Sequence, residues 1–245
     1  MNTESNLEDR GILITGGSRG LGAALAHELA RRGARLFLVA RGARDLERVA
    51  AAIRDHGGRA TAFAADVADK HAVHAIAGAA SDVLGTVDVV IHNASTLGPV
   101  PLRLLADTAC EDLQRVLEVN LVGPFRLSKV LVGPMLLQGR GLVVHVSSDA
   151  AVAAYPRWGA YGAAKAASDH VARIWAAELA GTGVAFLSVD PGEMDTQMHA
   201  AAMPDADRSA LARPEVIARR IADMIAGAGL PSGARLEAAT WKEGA

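Results

Sequence analysis

The chain is predicted to fold as a single α/β domain, a doubly wound parallel sheet of about seven strands with helices on both faces. Three observations point there. Short apolar runs alternate with amphipathic stretches along almost all of the 245 residues. The runs are apolar throughout rather than at every second position, as strands covered on both faces require. A glycine-rich turn, TGGSRGLG (15–22), closes the first run and opens the first amphipathic stretch. Nothing reads as a linker or a fixed-period repeat. Residues 1–245 are therefore taken as one domain, with a polar N-terminal segment over 1–10 and a substrate loop over 190–208.

ILIT (12–15) is the first strand. Leu21, Leu25, Ala26 and Leu29 recur at helical spacing over 21–33, and Gly33 supplies the stop. RLFLVA (35–40) is a second buried strand. Asp45, Leu46, Val49, Ala50 and Ile53 belong to a helix that ends at Gly57 and Gly58. TAFAAD (61–66), a helix from Asp69 to Leu84 and VDVVIHN (87–93) continue the alternation. A long helix covers 109–137, and Pro124 and Pro134 are expected to bend or end it. GLVVHVSS (141–148), a helix over 159–180 and GVAFLSVD (183–190) come next. Beyond Met203 and Pro204, Pro214 suits the first position of a last helix reaching Ala226, and ARLEA (234–238) makes a final strand. Right-handed crossovers then put the ligand crevice at the carboxyl ends of the strands.

Bulk composition excludes several classes of function. A net charge of −2 offers no basic footprint for nucleic acid. The single cysteine, Cys110, can form no internal disulfide, and a free buried thiol in a reducing compartment is expected. The polar start, MNTESNLEDR, has no apolar signal core, and Gly, Arg, Asp or Lys interrupts every apolar run before it reaches membrane length. A cytoplasmic protein with no membrane partner is expected. His71 and His74 have the spacing of a metal pair. They lie opposite Val73, Ile76 and Val83 with no third ligand, so they are read as solvated surface and no metal is expected.

The turn at 15–22 has glycines at 16, 20 and 22. Glycines there let the backbone turn sharply and approach a pyrophosphate, while the following helix N-terminus offers N–H groups to it. A dinucleotide is the expected ligand, as in a Rossmann fold. An acidic residue at the end of the second strand usually marks NAD. Here that strand ends in Ala40 and Arg41, no acid appears before Asp45, and Arg19 lies in the glycine turn. Two guanidinium groups suit a 2′-phosphate, so NADP(H) is expected.

Both tyrosines of the chain fall within seven positions of each other, in SSDAAVAAYPRWGAYGAAK (147–165). Tyr161 and Lys165 are four apart at the start of a helical stretch and share a face. Tyr155, beside Pro156, falls in a loop. A neighbouring ammonium and a cationic nicotinamide would both lower the phenol's pKa, letting Tyr161 donate or accept a proton. A serine at the end of LVVHVSS would bind the same substrate oxygen.

Taken together, TGGSRGLG (15–22), Asp66-Val67, HNAS (92–95), Asn120, Ser148, Tyr161-x-x-x-Lys165 and PGEMDT (191–196) resemble the short-chain dehydrogenase/reductase family, in order and over nearly the whole chain. The resemblance implies a catalytic tetrad of Asn120, Ser148, Tyr161 and Lys165. The family's serine lies thirteen residues before the tyrosine, which selects Ser148 over Ser147. Asn120 would kink the long helix and hold a water linked to Lys165, and Lys165 would also hold the nicotinamide ribose. The implied cofactor contacts are Gly16, Ser18, Arg19, Gly20, Leu21 and Gly22 in the turn, then Arg41. Asp66 and Val67 would meet adenine, and Asn93, Ala94 and Ser95 would line the cofactor, with Tyr161 and Lys165 beside it. Pro191, Gly192, Met194 and Thr196 would hold the nicotinamide end.

Two features depart from the family pattern, one motif and the C-terminal tail. Asn-Asn-Ala-Gly is His92-Asn93-Ala94-Ser95 here, and His92 is read as structural. The C-terminus GARLEAATWKEGA lacks the glycine-ending tail of tetrameric members, which leaves a homodimer or homotetramer open. The activity implied is NADPH-dependent reduction of a ketone or aldehyde, with loops 95–101, 149–158 and 193–205 forming the substrate pocket. Asp149 and Glu193 flank it, free to touch substrate or to pair with Arg157 or backbone. Tyr155 and Trp158 would shape one wall. STLGPV (95–100) and PGEMDTQM (191–198) resemble sepiapterin reductases, which implies a dicarbonyl or pterin side chain as an alternative substrate. A non-catalytic NADP(H)-sensing protein is the alternative of another class.

Overall fold

The computed structural model describes residues 7–227 and 229–241. Its centre is a seven-stranded, all-parallel sheet: β1 (Gly11–Thr15), β2 (Arg35–Ala40), β3 (Arg59–Ala64), β4 (Val89–His92), β5 (Gly141–Val146), β6 (Val184–Asp190) and β7 (Arg235–Glu237). The spatial order is β3-β2-β1-β4-β5-β6-β7. The chain therefore winds outward from β1 in one direction, then returns and winds the other way from β4. The crevice between β1 and β4 is the switch point where such sheets bind ligands.

Successive residues of each strand feed opposite faces, which is why the strands read as unbroken apolar runs. Ile12, Ile14, Leu36 and Leu38 pack beneath α1 (Gly20–Arg31), α2 (Ala43–Asp55) and α8 (Pro214–Ala226). Leu13, Phe37, Val39, Val90 and Val143 pack beneath α3 (Ala72–Leu84), α5 (Gly123–Gln138) and α6 (Gly159–Glu178). Two short helices complete the set, α4 (Cys110–Leu117) and α7 (Gln197–Ala202). Burying one such Leu or Ile contributes about 1.5–3 kcal/mol, and both clusters run the length of the sheet. Among the described residues no helix is long and apolar enough to cross a membrane.

Several boundaries differ from the sequence reading. The third strand starts at Arg59, directly after the Gly57-Gly58 turn, because Arg59 already pairs with Arg35; Asp66 is left beyond its end. The expected helix over 109–137 is α4 and α5 joined by a π-helical turn, Glu118–Val122. Pro124 sits at the start of α5, and Pro134 lies inside it without breaking it. One turn from the C-terminus, a missing N–H removes a single ladder bond, and Gly139 at φ 65° ends the helix. Cys110 is exposed, correcting the expected buried thiol, because α4 buries only Val116. Val83, read as apolar-face, is 44% exposed, while His71 and His74 are exposed as expected. The polar segment 1–10 is not wholly solvated: Leu7 is buried and its N–H donates to the Arg32 carbonyl. Residues 1–6 of that segment, and 242–245 of the C-terminal tail, lie outside the described residues.

Candidate active site

The cofactor turn is held from beneath. Thr15, the last residue of β1, accepts hydrogen bonds at its hydroxyl from the N–H groups of Asn93 and Ala94 (3.1 Å each) and donates to the Ile91 carbonyl. Asn93 returns the contact, its side-chain amide donating to the carbonyls of Thr15 and Gly16. These bonds lock the ends of β1 and β4 together across the switch point. Gly16 adopts φ 71°, and a Cβ there would lie 2.8 Å from Ala94 Cα. A Cβ at Gly22 would run into the Gly16 carbonyl oxygen, so Gly22 serves the packing of α1 against the turn. Leu21 points into the core, which leaves only its main chain to a ligand. Among the described residues no side chain caps α1, so its first-turn N–H groups stay open to an anion.

Arg41 is exposed just past β2, and Ser18 is half-buried in the turn. Arg19 lies differently from the expected pairing with Arg41: its guanidinium donates to the Gln197 side chain at 3.0 Å, across to α7. Asp66 accepts from the Ala68 N–H and from Arg115 at 2.6 Å, while Val67 is buried. Burial raises the Asp66 pKa, yet the bonds from Arg115 and Ala68, with the charges of Arg115 and Arg41, leave it below the usual range.

Tyr161 and Lys165 occupy one face of α6, 8% and 4% exposed. The Lys165 ammonium lies 5.6 Å from the Tyr161 ring centre and donates to the Val146 carbonyl at 2.5 Å. Burial pushes the phenol up to about 12, the charges of Asp190 and Asp149 adding to the rise; hydrogen bonds with Ser148 and Ser95 oppose it. In the chain alone burial dominates, so the phenol lies above its ordinary value rather than below it as expected beside an ammonium and a cationic nicotinamide. Burial also draws Lys165 down to about 8, against Asp169 and Asp190, which raise it.

Ser148 and Ser95 therefore both address the Tyr161 hydroxyl. Ser148 also donates to the Asp149 carboxylate at 3.0 Å and accepts the Ala150 N–H. Ser95 also donates to Asn120 Oδ1 at 3.2 Å. Asn120 sits in the π turn, where its side chain is spent on the loop: Oδ1 accepts the Thr96 N–H and Nδ2 donates to the Thr96 carbonyl, both 2.9 Å. A water held near Lys165 would have to use the main chain of this turn. Ser147 faces away from the phenol, as alternation along a strand demands, and donates to Asp169 at 2.6 Å.

His92 is structural. It is buried, its Nε2 lies 2.8 Å from the Ser128 hydroxyl, and its ring packs 4.8 Å from that of His145, its cross-strand partner. Burial and the neighbouring His145 hold His92 well below its ordinary pKa, and burial with Lys165 takes His145 to about 3. Both rings are neutral.

Over Tyr161 the walls are apolar. Leu97 and Ala150 pack with its ring, backed by Leu102, Trp158, Met198 and Ala202. Trp158 meets it edge-on at 5.7 Å. Tyr155 is half-exposed and donates to Asp149 at 2.9 Å, so Asp149 pairs with Tyr155, Ser148 and the Ala150 N–H and not with Arg157. Glu193 lies 3.7 Å from the His199 ring. Pro191 is buried, Gly192 adopts φ 72° and Thr196 caps α7, its methyl beside Gly20. Met194 packs against the core, so its side chain turns away from the crevice. Sequence reasoning missed Thr15, Thr96, Gly162, Asp169 and Arg235. Gly162 alone left a local signal, one position after Tyr161: a Cβ there would lie 2.7 Å from the Ala150 carbonyl, so glycine lets α6 close on the Ser148 loop. Among the described residues no three His, Cys, Asp or Glu side chains gather as a metal site needs.

This arrangement can present a proton at one point, the Tyr161 hydroxyl, beside a cradle suited to a dinucleotide. The family model for short chain dehydrogenases matches residues 10–207. The 1-deoxy-11-beta-hydroxypentalenate dehydrogenase of Streptomyces exfoliatus is 36% identical over 194 residues, 79% of this chain and 70% of that protein. A short chain dehydrogenase of Shigella flexneri 2a, solved in complex with NADP, superposes with a TM-score of 0.89 at 27% identity, covering 97% of this chain and all of that one. A 7α-hydroxysteroid dehydrogenase, solved with NADH and 7-oxoglycochenodeoxycholic acid, gives 0.87 at 26% identity, over 97% of this chain and 96% of its own.

Proposed function

This chain belongs to the short chain dehydrogenase family and is an oxidoreductase of alcohol and carbonyl groups; from that premise we propose that it reduces a ketone or aldehyde with NADPH. The observation that carries the reading is the buried Tyr161, with Ser148 and Ser95 on its hydroxyl and Lys165 one turn further along α6.

The residues present fit a dinucleotide, since the positive-φ turn at Gly16 and the uncapped start of α1 form an anion cradle. The turn from Gly16 to Gly22 would hold the pyrophosphate and Arg41 the 2′-phosphate, with Arg19 free to join it by leaving Gln197. Asp66 and Val67 would bound the adenine. Main chain at Asn93, Ala94, Ser95, Pro191, Gly192 and Met194, with Thr196, would meet the nicotinamide end. When bound, the cofactor supplies the hydride.

The rest falls to the chain. Tyr161 carries its proton throughout the neutral range and gives it to the carbonyl oxygen as the alcohol forms. Ser148 turns its hydroxyl from Asp149 to that oxygen and stabilises the charge developing there. Lys165, titrating near neutrality, stands behind the phenol as the group able to pass a replacement proton. The apolar wall of Leu97, Leu102, Trp158 and Met198 favours a carbonyl attached to an apolar body.

The test is NADPH oxidation over a panel of ketones, aldehydes, dicarbonyls and a pterin carrying a keto side chain. Tyr161→Phe is expected to bind NADPH normally and lose turnover by about 10²–10⁴-fold. Unimpaired turnover by that variant would remove Tyr161 from the chemistry. NADPH binding without oxidation across the panel would favour a sensor.

A further inference from the structure

Arg235 lies on β7, at the edge of the sheet, 87 residues beyond Ser148 in sequence. We propose that Arg235 is a positioning residue of the active site, fixing the main-chain carbonyl of Ser148 and the spacing of the buried carboxylates Asp169 and Asp190. The proposal rests on the reading of Ser148, Tyr161 and Lys165 given above.

One guanidinium joins the ends of two strands to a helix. Its Nη2 donates to the Ser148 carbonyl at 3.0 Å and to Asp190 Oδ2 at 2.7 Å; its Nε donates to Asp169 Oδ2 at 3.3 Å. The side chain is 21% exposed, and the two carboxylates are 8% and 9% exposed. Ser148 is the point where the backbone leaves β5 in an extended conformation. Its carbonyl is held by Arg235 while its hydroxyl meets Tyr161, so the clamp limits how far the residue can swing about the strand end. Asp190 passes the constraint on, since its Oδ1 accepts the Gly192 N–H where the substrate loop begins. Asp169, one turn beyond Lys165, has Ser147 and Arg235 on Oδ2 and no partner for its buried Oδ1 among the described residues. Without the guanidinium, two buried carboxylates would lose the cation hydrogen-bonded to them and keep only the more distant charge of Lys165.

Three acceptors in three directions need a fork. A lysine ammonium could restore the charge but not all the contacts. The charged and titratable groups facing Tyr161 and Lys165 are Asp169 on α6, Asp190 at the end of β6, Asp149 after β5 and His145 on β5; Glu237 faces Arg235 on β7. Of these the carboxylates raise the values of Tyr161 and Lys165, so loss of the Arg235 cation shifts both further upward.

The experiment compares wild type with Arg235→Gln and Arg235→Lys by melting temperature, steady-state kinetics and ¹³C NMR titration of the lysine Cε groups. The chain has four lysines, and burial holds Lys165 down to about 8. Arg235→Gln is expected to lose about ten- to hundredfold in kcat, with KM for NADPH little changed, and to raise the Lys165 titration by about half a pH unit or more. Arg235→Lys is expected to keep the titration and still lose kcat about tenfold. A folded Arg235→Gln with unaltered kcat and Lys165 titration, its melting temperature alone reduced, would overturn the proposal. If Arg235→Gln does not fold, Arg235→Lys decides: wild-type kcat refutes the clamp and a loss at unchanged titration supports it. Should the wild type turn over no carbonyl, the functional reading fails, and the Lys165 titration still tests the electrostatic half of this one.

Discussion

His145 makes stability fall in mild acid. Its ring is buried between those of His92 and Phe186, its Nδ1 lies 3.0 Å from the Ser168 hydroxyl, and its pKa is drawn from 6.5 to about 3. The unfolded chain therefore binds a proton that the folded chain refuses across the window from about pH 6.5 down to about pH 3. Stability is lost as pH falls through that window, at about 1.4 kcal/mol per pH unit once the unfolded histidine is mostly charged. Between pH 7 and pH 5 this one ring costs about 2 kcal/mol, a large part of a typical total of roughly 5–15 kcal/mol. His92, also held well below its ordinary value, adds a loss of the same sign. His145→Asn keeps a polar atom near Ser168 and removes the titration. The variant starts less stable because ring packing is lost, so the measurement is the slope: urea unfolding at steps between pH 7 and pH 5. The variant is expected to lose about 2 kcal/mol less than wild type over that range. Equal slopes would mean that His145 accepts its proton in the folded state and that its burial is misjudged.

Arg41→Ala is expected to lower kcat/KM for NADPH by about tenfold or more while leaving NADH little affected; equal use of both cofactors by wild type would refute the NADP preference. Gly22→Ala forces a methyl against the Gly16 carbonyl, so NADPH affinity measured by calorimetry should fall at least tenfold, with about 1–3 kcal/mol lost in stability. Asp149→Asn removes a charge that raises Tyr161 while keeping an oxygen that can accept from the Ser148 hydroxyl. In alcohol oxidation its pH–rate profile should move to lower pH, and an unmoved profile would show that Asp149 is screened from the phenol.

What the sequence disclosed was what covalent spacing decides. Tyr161 and Lys165 share a face because four residues make one turn, and the glycine turn lies where the first strand must hand over to a helix. Interactions set by tertiary approach were invisible. Asp169 and Arg235 meet over 66 residues, and His92 finds Ser128 only when α5 packs on β4. Arg19 turns to Gln197 because α7 is within reach, which nothing in the turn announces. Cys110 is exposed because it opens a helix that buries a single side chain. The upward shift of Tyr161 in the chain alone was invisible for a related reason: neighbouring charges can be read from spacing, whereas burial belongs to the assembled fold.

That last point bears on the direction of catalysis. Burial opposes the phenolate at Tyr161 and the ammonium at Lys165 alike, so the pair resists separating charge. A phenol titrating at about 12 is a weak acid and, at pH 8, is ionised in only about one molecule in 10⁴. The proposed reduction starts from the form of Tyr161 that dominates, while the reverse oxidation of an alcohol would first have to create the rare one. Asp190 and Asp149 deepen the bias, and the hydrogen bonds of Ser148 and Ser95 lessen it. Ser95 is, with His92, one of the two residues by which this chain departs from the family's Asn-Asn-Ala-Gly, and its hydroxyl also reaches Asn120. Ser95 adds a second hydroxyl at the Tyr161 oxygen, the proposed proton donor, offsetting in part the two carboxylates that work against the phenolate.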